Sequence, residues 1–257
     1  MPHIERVQVD DMDVPVEVRG RSSESLLFLP GMGVHPRHYA PGLDRLAHHF
    51  TVVAPDLSFG SNRSLPLDYT GYLACVDAVA DRLAPGAPRV GHSLGGLLAL
   101  QGDTPAVALS PLLPLPLGWV GQIWRAVRLQ LREIAGIEGA RGVRWALAIL
   151  AEYVGMALTA PEKLFPALAC THIEFGDAFR PSAPSIRLVL GRFDQLYRRS
   201  EYGRFVEDVG LDANAVRWLP HGHDWPVTRP AVMEAEVLSA LQDWSGSGGI
   251  SSGTAPA

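Results

Sequence analysis

The apolar positions along this chain follow two alternating periods. Residues 4–9 and 14–19 show short apolar–polar alternation around Asp10-Asp11-Met12-Asp13, the pattern of an antiparallel hairpin. Ser25–Leu29 is a compact apolar run stopped by Pro30-Gly31, and residues 50–54 form another, stopped by Pro55-Asp56. Runs this short and continuous suit strands buried on both faces of a parallel sheet. Between them, residues 41–49 carry helical spacing at Leu43, Leu46 and Ala47. Tyr69–Leu83 repeats that spacing more fully, with Tyr72, Leu73, Val76, Val79, Ala80 and Leu83 along one face. A short strand at 89–90, a short helix at 97–101 and strands at Ala106–Leu109, 186–190 and 215–219 follow, before a final helix over 231–244. The alternation predicts an α/β fold, a mostly parallel sheet of about eight strands with helices on both faces.

One region breaks the alternation. From Leu112 to Pro184 the spacing is helical and no pair of strands stands out. Val120, Ile123, Trp124, Val127, Leu131 and Ile134 share a face, with Arg125, Arg128 and Arg132 around the rest. Residues 143–158 are apolar almost all round, the pattern of a helix covered on most sides. The segment reads as a helical insertion, so the expected organisation is a core of residues 1–111 and 185–244 with a helical cap of 112–184. The Gly/Ser-rich tail, 245–257, reads as disordered.

Composition narrows the class. A chain of 257 residues, 47% of them hydrophobic, suits one domain with a large buried core. The net charge is −5 and the basic residues, almost all arginine, are scattered, which excludes a nucleic-acid-binding surface. The first ten residues lack the basic-then-apolar order of a secretory signal. The most apolar stretch, 145–158, is broken by Glu152 and is too short to span a bilayer. Cys75 and Cys170 both sit in apolar helical contexts and read as buried free thiols. These features predict a cytoplasmic protein with no membrane span and no nucleic-acid partner.

Candidate chemistry centres on the stretch "RVGHSLGGLLAL". It sets Ser93 between Gly91 and Gly95, at the passage from a strand to a helix. A sharp turn there lifts a serine above the sheet and aims the N–H of Leu94 at a developing oxyanion. A serine hydroxyl needs a base, and "RWLPHGHDWP" after the last strand supplies His221 and His223. Gly222 and Asp224-Trp225-Pro226 make a loop around His223, which favours it, while His221 shapes the loop. The acid that orients the base fits Asp194, four residues past a strand in "IRLVLGRFDQL"; Asp177 and Glu174 belong to the insertion and fit less well. In "LFLPGMGVHP", Gly31 and Gly33 allow close backbone approach, and the N–H of Met32 is the second oxyanion donor. The set His221-x-His223-Asp224 looks like part of a binuclear metal motif, but Trp225 stands where a further histidine is needed, so no metal is expected. No nucleotide fingerprint occurs and no cofactor is expected.

The order of "LFLPGMG", "VVAPDLSFGSN", "GHSLGG", "LVLGRFD" and "PHGHDWP" resembles the α/β-hydrolase superfamily over nearly the whole chain, and its serine-nucleophile, esterase- and lipase-like branch with a helical cap most of all. The resemblance implies Ser93, Asp194 and His223 as nucleophile, acid and base, with Met32 and Leu94 as the oxyanion hole. It implies a serine hydrolase of a carboxylic ester or related acyl bond in a small-molecule substrate. Thioesterase, lactonase, carbon–carbon bond hydrolase and non-catalytic ligand binding on the same fold stay open. Trp119, Trp124 and Trp145 of the insertion either line an acyl pocket or pack the insertion onto the core. Three departures stand out. Pro30 occupies the place where this branch usually has a histidine, so the hydrogen bonding of the oxyanion loop must differ. The strand before Ser93 and the helix after it are short, the helix being cut off by Gly102-Asp103-Thr104-Pro105.

Overall fold

Leu26, Leu27, Phe28 and Leu29 are all fully buried. Successive side chains of a strand point to opposite faces, and Leu26 and Phe28 join one hydrophobic cluster while Leu27 and Leu29 join another. A sheet covered on both faces therefore lies at the centre of the computed structural model, which describes residues 2–58, 69–113, 128, 131, 139–159 and 181–246.

The strands are β1 (His3–Val9), β2 (Met12–Arg19), β3 (Ser25–Leu29), β4 (Thr51–Pro55), β5 (Arg89–His92), β6 (Ala106–Leu109), β7 (Ile186–Gly191) and β8 (Val216–Leu219). They form one eight-stranded sheet in the order β1-β2-β4-β3-β5-β6-β7-β8. β1 pairs antiparallel with β2 and β2 with β4; every other pairing is parallel. The described helices are α1 (Ala40–Leu46), α2 (Tyr69–Leu83), α3 (Leu94–Ala99), α4 (Gly139–Thr159), α5 (Arg199–Asp208), α6 (Trp225–Thr228) and α7 (Pro230–Gly246). Val76, Val79, Leu97 and Phe205 bring α2, α3 and α5 onto one face of the sheet. Leu43, Leu46, Met233 and Val237 bring α1 and α7 onto the other, where Trp145 and Ile149 of α4 join them.

Strand positions agree with the hydrophobic pattern to within two residues. Two helical expectations need correction. The helix after Ser93 begins at Leu94, not Leu97, and ends at Ala99. Gly95 and Gly96 have poor helix propensity, but the turn before them forces the backbone into the helix at once. α4 is not covered on most sides: Leu147, Leu150, Val154 and Leu158 are between 46% and 79% exposed, whereas Trp145, Ala146 and Ile149 are buried. The apolar content of that segment measured composition and not which face meets the core. The tail beyond residue 246 lies outside the described residues, as does Cys170. Cys75 is a buried free thiol in α2, and burial pushes its pKa up to about 11. Among the described residues no helix is long and apolar enough to cross a membrane.

The short elements around Ser93 are tied in by a buried cation. The guanidinium of Arg89, 4% exposed at the start of β5, donates to Asp77 of α2 at 2.9 Å and lies 3.6 Å from Asp103 in the turn that ends α3. Where β5 turns into α3, backbone meets backbone. A Cβ at Gly91 would collide with the carbonyl of Gly95, and a Cβ at Gly95 with the carbonyls of Leu29 and Pro30. Neither obstacle is a flexible side chain, so Gly91→Ala is expected to destabilise the protein by about 3 kcal/mol or more. Thermal unfolding of that variant checks this, and an unchanged midpoint would contradict the packing described.

Candidate active site

Ser93 stands at the turn between β5 and α3 with φ 54° and ψ −117°, a conformation that a residue with a side chain adopts only under constraint. The constraint is visible in its backbone. Its N–H donates to the Leu109 carbonyl at 3.1 Å, and its carbonyl accepts from the N–H groups of Leu97 at 3.1 Å and Leu112 at 2.8 Å. Across from it, the loop after β3 folds into a tight turn in which the Val34 N–H donates to the Gly31 carbonyl at 3.1 Å, with Gly33 at φ 68°. Met32 lies within that turn. Among the described residues no hydrogen bond engages the backbone N–H of Met32 or of Leu94.

Asp194 and His223 meet in the interior. His223 Nδ1 and Asp194 Oδ2 are 2.8 Å apart, with side chains 2% and 1% exposed. The loop that carries Asp194 leaves β7 with its N–H bonded to the Gly191 carbonyl. The carboxylate is held from several sides. Oδ1 accepts from the backbone N–H groups of Leu196 at 2.7 Å and Tyr197 at 3.0 Å. Oδ2 accepts from the hydroxyl of Tyr202, on α5, at 2.8 Å. Burial, then the nearby Asp194, raises the Tyr202 phenol well above its ordinary value, so it stays a proton donor. A carboxylate with this many donors has its charge met without water, and its direction fixed.

The two histidines of the last loop separate. His221 stacks on Trp225, with ring centroids 6.5 Å apart, while His223 turns inward to Asp194. Trp225 donates from its indole Nε1 to Ser110 Oγ at 3.2 Å. Ser110 immediately follows β6, so the loop after β8 is pinned to a residue two strands away across the sheet.

Sequence reasoning passed over three residues: Tyr202, Tyr39 and His92. His92 immediately precedes Ser93 and is buried, its ring 5.1 Å from that of His223. His92 Nε2 lies 3.2 Å from the His223 carbonyl oxygen, and Nδ1 lies 2.7 Å from the hydroxyl of Tyr39. Burial, reinforced by His223, holds the His92 pKa well below its ordinary value, so its ring is neutral. The one signal available in the sequence was a histidine in a strand of the central sheet, which must find polar partners if it is buried. His92, His223 and Asp224 bring ligand-type atoms within 4.8 Å of one another, a different set from the His221-x-His223-Asp224 run. Both nitrogens of His92 are already in hydrogen bonds, so that ring offers no free lone pair to an ion.

Of the three tryptophans singled out in the insertion, Trp145 is buried on α4. It packs edge-on against His38 at 5.2 Å and Tyr39 at 6.3 Å between centroids. Trp119 and Trp124 lie outside the described residues, as do Glu174 and Asp177.

The alpha/beta hydrolase family model matches residues 26–236. A protein named as a carbamate hydrolase, RutD of Yersinia enterocolitica, is 33% identical over 94 residues, which cover 33% of this chain and 34% of that protein. The match thus spans about a third of the relative's length. Among solved structures, a bacterial membrane phospholipase A superposes with a TM-score of 0.70 at 19% identity, over 94% of this chain and 86% of the other. The 2-hydroxy-6-oxo-6-phenylhexa-2,4-dienoate hydrolase of Rhodococcus sp. strain RHA1 also gives 0.70, at 15% identity, over 94% and 99%. At such identities the structural likeness speaks for the fold.

A neutral buried histidine links stability to pH. Unfolding exposes His92, which then takes up a proton below its ordinary pKa of 6.5, while the folded protein keeps it neutral. The unfolded state binds more protons there, so this contribution is complete above pH 6.5 and is lost as the pH falls, by up to about 1.4 kcal/mol per pH unit. Urea unfolding of His92→Gln between pH 6.5 and 5 is expected to depend less steeply on pH than that of the unmodified protein; equal slopes would contradict the assignment.

Proposed function

The chain belongs to the alpha/beta hydrolase family, and from that premise we propose that it is a serine hydrolase cleaving a carboxylic ester or a related acyl bond through an acyl-enzyme intermediate. The observation that carries this reading is the buried Asp194–His223 pair at 2.8 Å, beside the strained turn of Ser93. Asp194 holds the proton of His223 on Nδ1, which leaves Nε2 as the basic nitrogen. Nε2 takes the hydroxyl proton of Ser93 as Oγ attacks the substrate carbonyl carbon. The carbonyl oxygen becomes an anion and receives the N–H groups of Met32 and Leu94, each such donor lowering the barrier by roughly 3 kcal/mol. The tetrahedral adduct collapses, and the alcohol leaves with the proton held on Nε2. Water then attacks the acyl-serine and gives its proton to the same nitrogen; the second tetrahedral adduct breaks its C–Oγ bond, Nε2 returns that proton to Ser93 Oγ, and the free acid departs. None of these steps calls on a cofactor or a metal.

An ester suits such a site, because its leaving oxygen departs as an alcohol by taking the one proton that His223 would carry. A carbamate is the second substrate class to test, on the strength of the partial match to a protein named for it. In this reading residues 112–184 form a cap, and Trp145 joins it to the core beside Tyr39.

A fluorophosphonate probe is expected to label the unmodified protein and to leave Ser93→Ala unlabelled; labelling of that variant at the full level would overturn the assignment. His223→Ala is expected to lower kcat on p-nitrophenyl esters by about a thousandfold or more. A panel of esters, thioesters, lactones and carbamates of graded chain length, ranked by kcat/KM, identifies the bond and the acyl size.

A further inference from the structure

We propose that Tyr39 and His92 are positioning residues, a buried brace that fixes the amide of Met32 opposite Ser93 and carries the loop of His223 on the same support. The proposal rests on the serine hydrolase reading given above.

It starts from Pro30. That residue has no N–H and no polar side chain, so it can donate no hydrogen bond to anchor the loop that follows β3. The loop is anchored one residue later, where the Gly31 N–H donates to the hydroxyl of Tyr39 at 3.0 Å. The same hydroxyl lies 2.7 Å from His92 Nδ1, and His92 Nε2 lies 3.2 Å from the His223 carbonyl. The proton positions along this chain are forced. A carbonyl oxygen only accepts, so Nε2 of His92 carries the hydrogen. A neutral imidazole with its proton on Nε2 leaves Nδ1 as an acceptor, so the Tyr39 hydroxyl donates to it. The lone pair of that hydroxyl receives the Gly31 N–H. The chain therefore runs in one sense, from Gly31 through Tyr39 and His92 to His223.

Its end points matter more than its members. Gly31 precedes Met32, His92 precedes Ser93, and the carbonyl belongs to His223 itself. One imidazole thus ties together the backbone next to the oxyanion donor, the nucleophile and the base, while touching none of the reacting atoms. The space around it admits little play. A Cβ at Gly31 would stand 3.1 Å from the Tyr39 hydroxyl, 3.5 Å from His92 Nδ1 and 3.6 Å from Ser93 Cβ. The Tyr39 ring is wedged edge-on against Phe28 at 5.0 Å and Trp145 at 6.3 Å. Tyr39 and His92 are 1% and 2% exposed, so no water replaces a lost partner at low cost.

The test is Tyr39→Phe, which keeps the ring and removes the hydroxyl. A shift of the Met32 amide away from the oxyanion weakens the transition state more than the ground state. The expected result is a kcat on p-nitrophenyl esters lowered about 10- to 100-fold, with KM within about twofold and a matching loss of affinity for an alkylboronic acid. A residue with only a packing role would lower the melting temperature and leave kcat and boronate affinity of the folded fraction as they were. A second measurement uses the unmodified protein: its 15N imidazole spectrum is expected to show His92 as the neutral Nε2–H tautomer from pH 8 down to pH 5.5. A His92 ring protonated on Nδ1, or titrating near pH 6.5, overturns the brace even if the variant fails to fold. If the unmodified protein is not labelled by fluorophosphonate, the hydrolase reading falls and the brace's catalytic role falls with it. If it is labelled, and Tyr39→Phe matches it in kcat and boronate affinity, the brace alone is overturned.

Discussion

The whole site depends on a place where the backbone crosses itself with no side chain between. At the carboxyl end of the central strands, Gly91 faces the carbonyl of Gly95, and Gly95 faces the carbonyls of Leu29 and Pro30. Because neither glycine carries a Cβ, α3 starts directly against the end of β3, and the loop from Gly31 to Val34 comes to lie opposite Ser93. The positive φ of Ser93 follows from that proximity. Such a conformation costs on the order of 1–3 kcal/mol and persists only where neighbours over-determine it. Three backbone hydrogen bonds, to Leu109, Leu97 and Leu112, do so here. The pairing of β5 with β6, in which His92 stands opposite Leu109, sets the height at which the turn is built.

Around this crossing Asp194 and His92 are buried but matched. Asp194 accepts from two backbone amides, the Tyr202 hydroxyl and His223; His92 uses one ring nitrogen for each of two partners. In a low-dielectric interior a matched polar network is stiff, because any rotation that breaks one bond strands a group with nothing to replace it. The surrounding apolar packing makes such rotation harder still. Tyr202 meets Tyr197 and Trp218 edge-on, and Tyr39 meets Phe28 and Trp145. Rigid geometry is what a preorganised site requires.

How much of this was legible in the sequence follows from what each residue needs. Runs such as Ser25–Leu29 and Ala106–Leu109 were readable because a strand buried on both faces is apolar at every position. Ser93, Asp194 and His223 stood out because their turns demand glycine and proline at fixed offsets, which leaves marks in the chain. Tyr39, His92 and Tyr202 left none: Tyr72 and Tyr202 are both buried tyrosines on helices, and only the partner met in space separates them. The start of α3 was misplaced because Gly95 and Gly96 oppose a helix locally, while the turn imposes one. The exposed leucines of α4 were missed because hydropathy reports how apolar a segment is and is blind to direction.

The strand order also has a kinetic side. β3 pairs with β5, and β6 with β7, across long separations in the chain, so the central sheet closes only after large loops have paid their entropy. Ser93 follows β5, whereas Asp194 follows β7 and His223 follows β8. During synthesis Ser93 emerges early, and Asp194 and His223 arrive with the last strands to dock. On the proposed reading, a chain caught partway through folding carries its hydroxyl without the groups that would activate it. Reactivity would then appear together with the finished sheet, and activity would itself report that folding is complete.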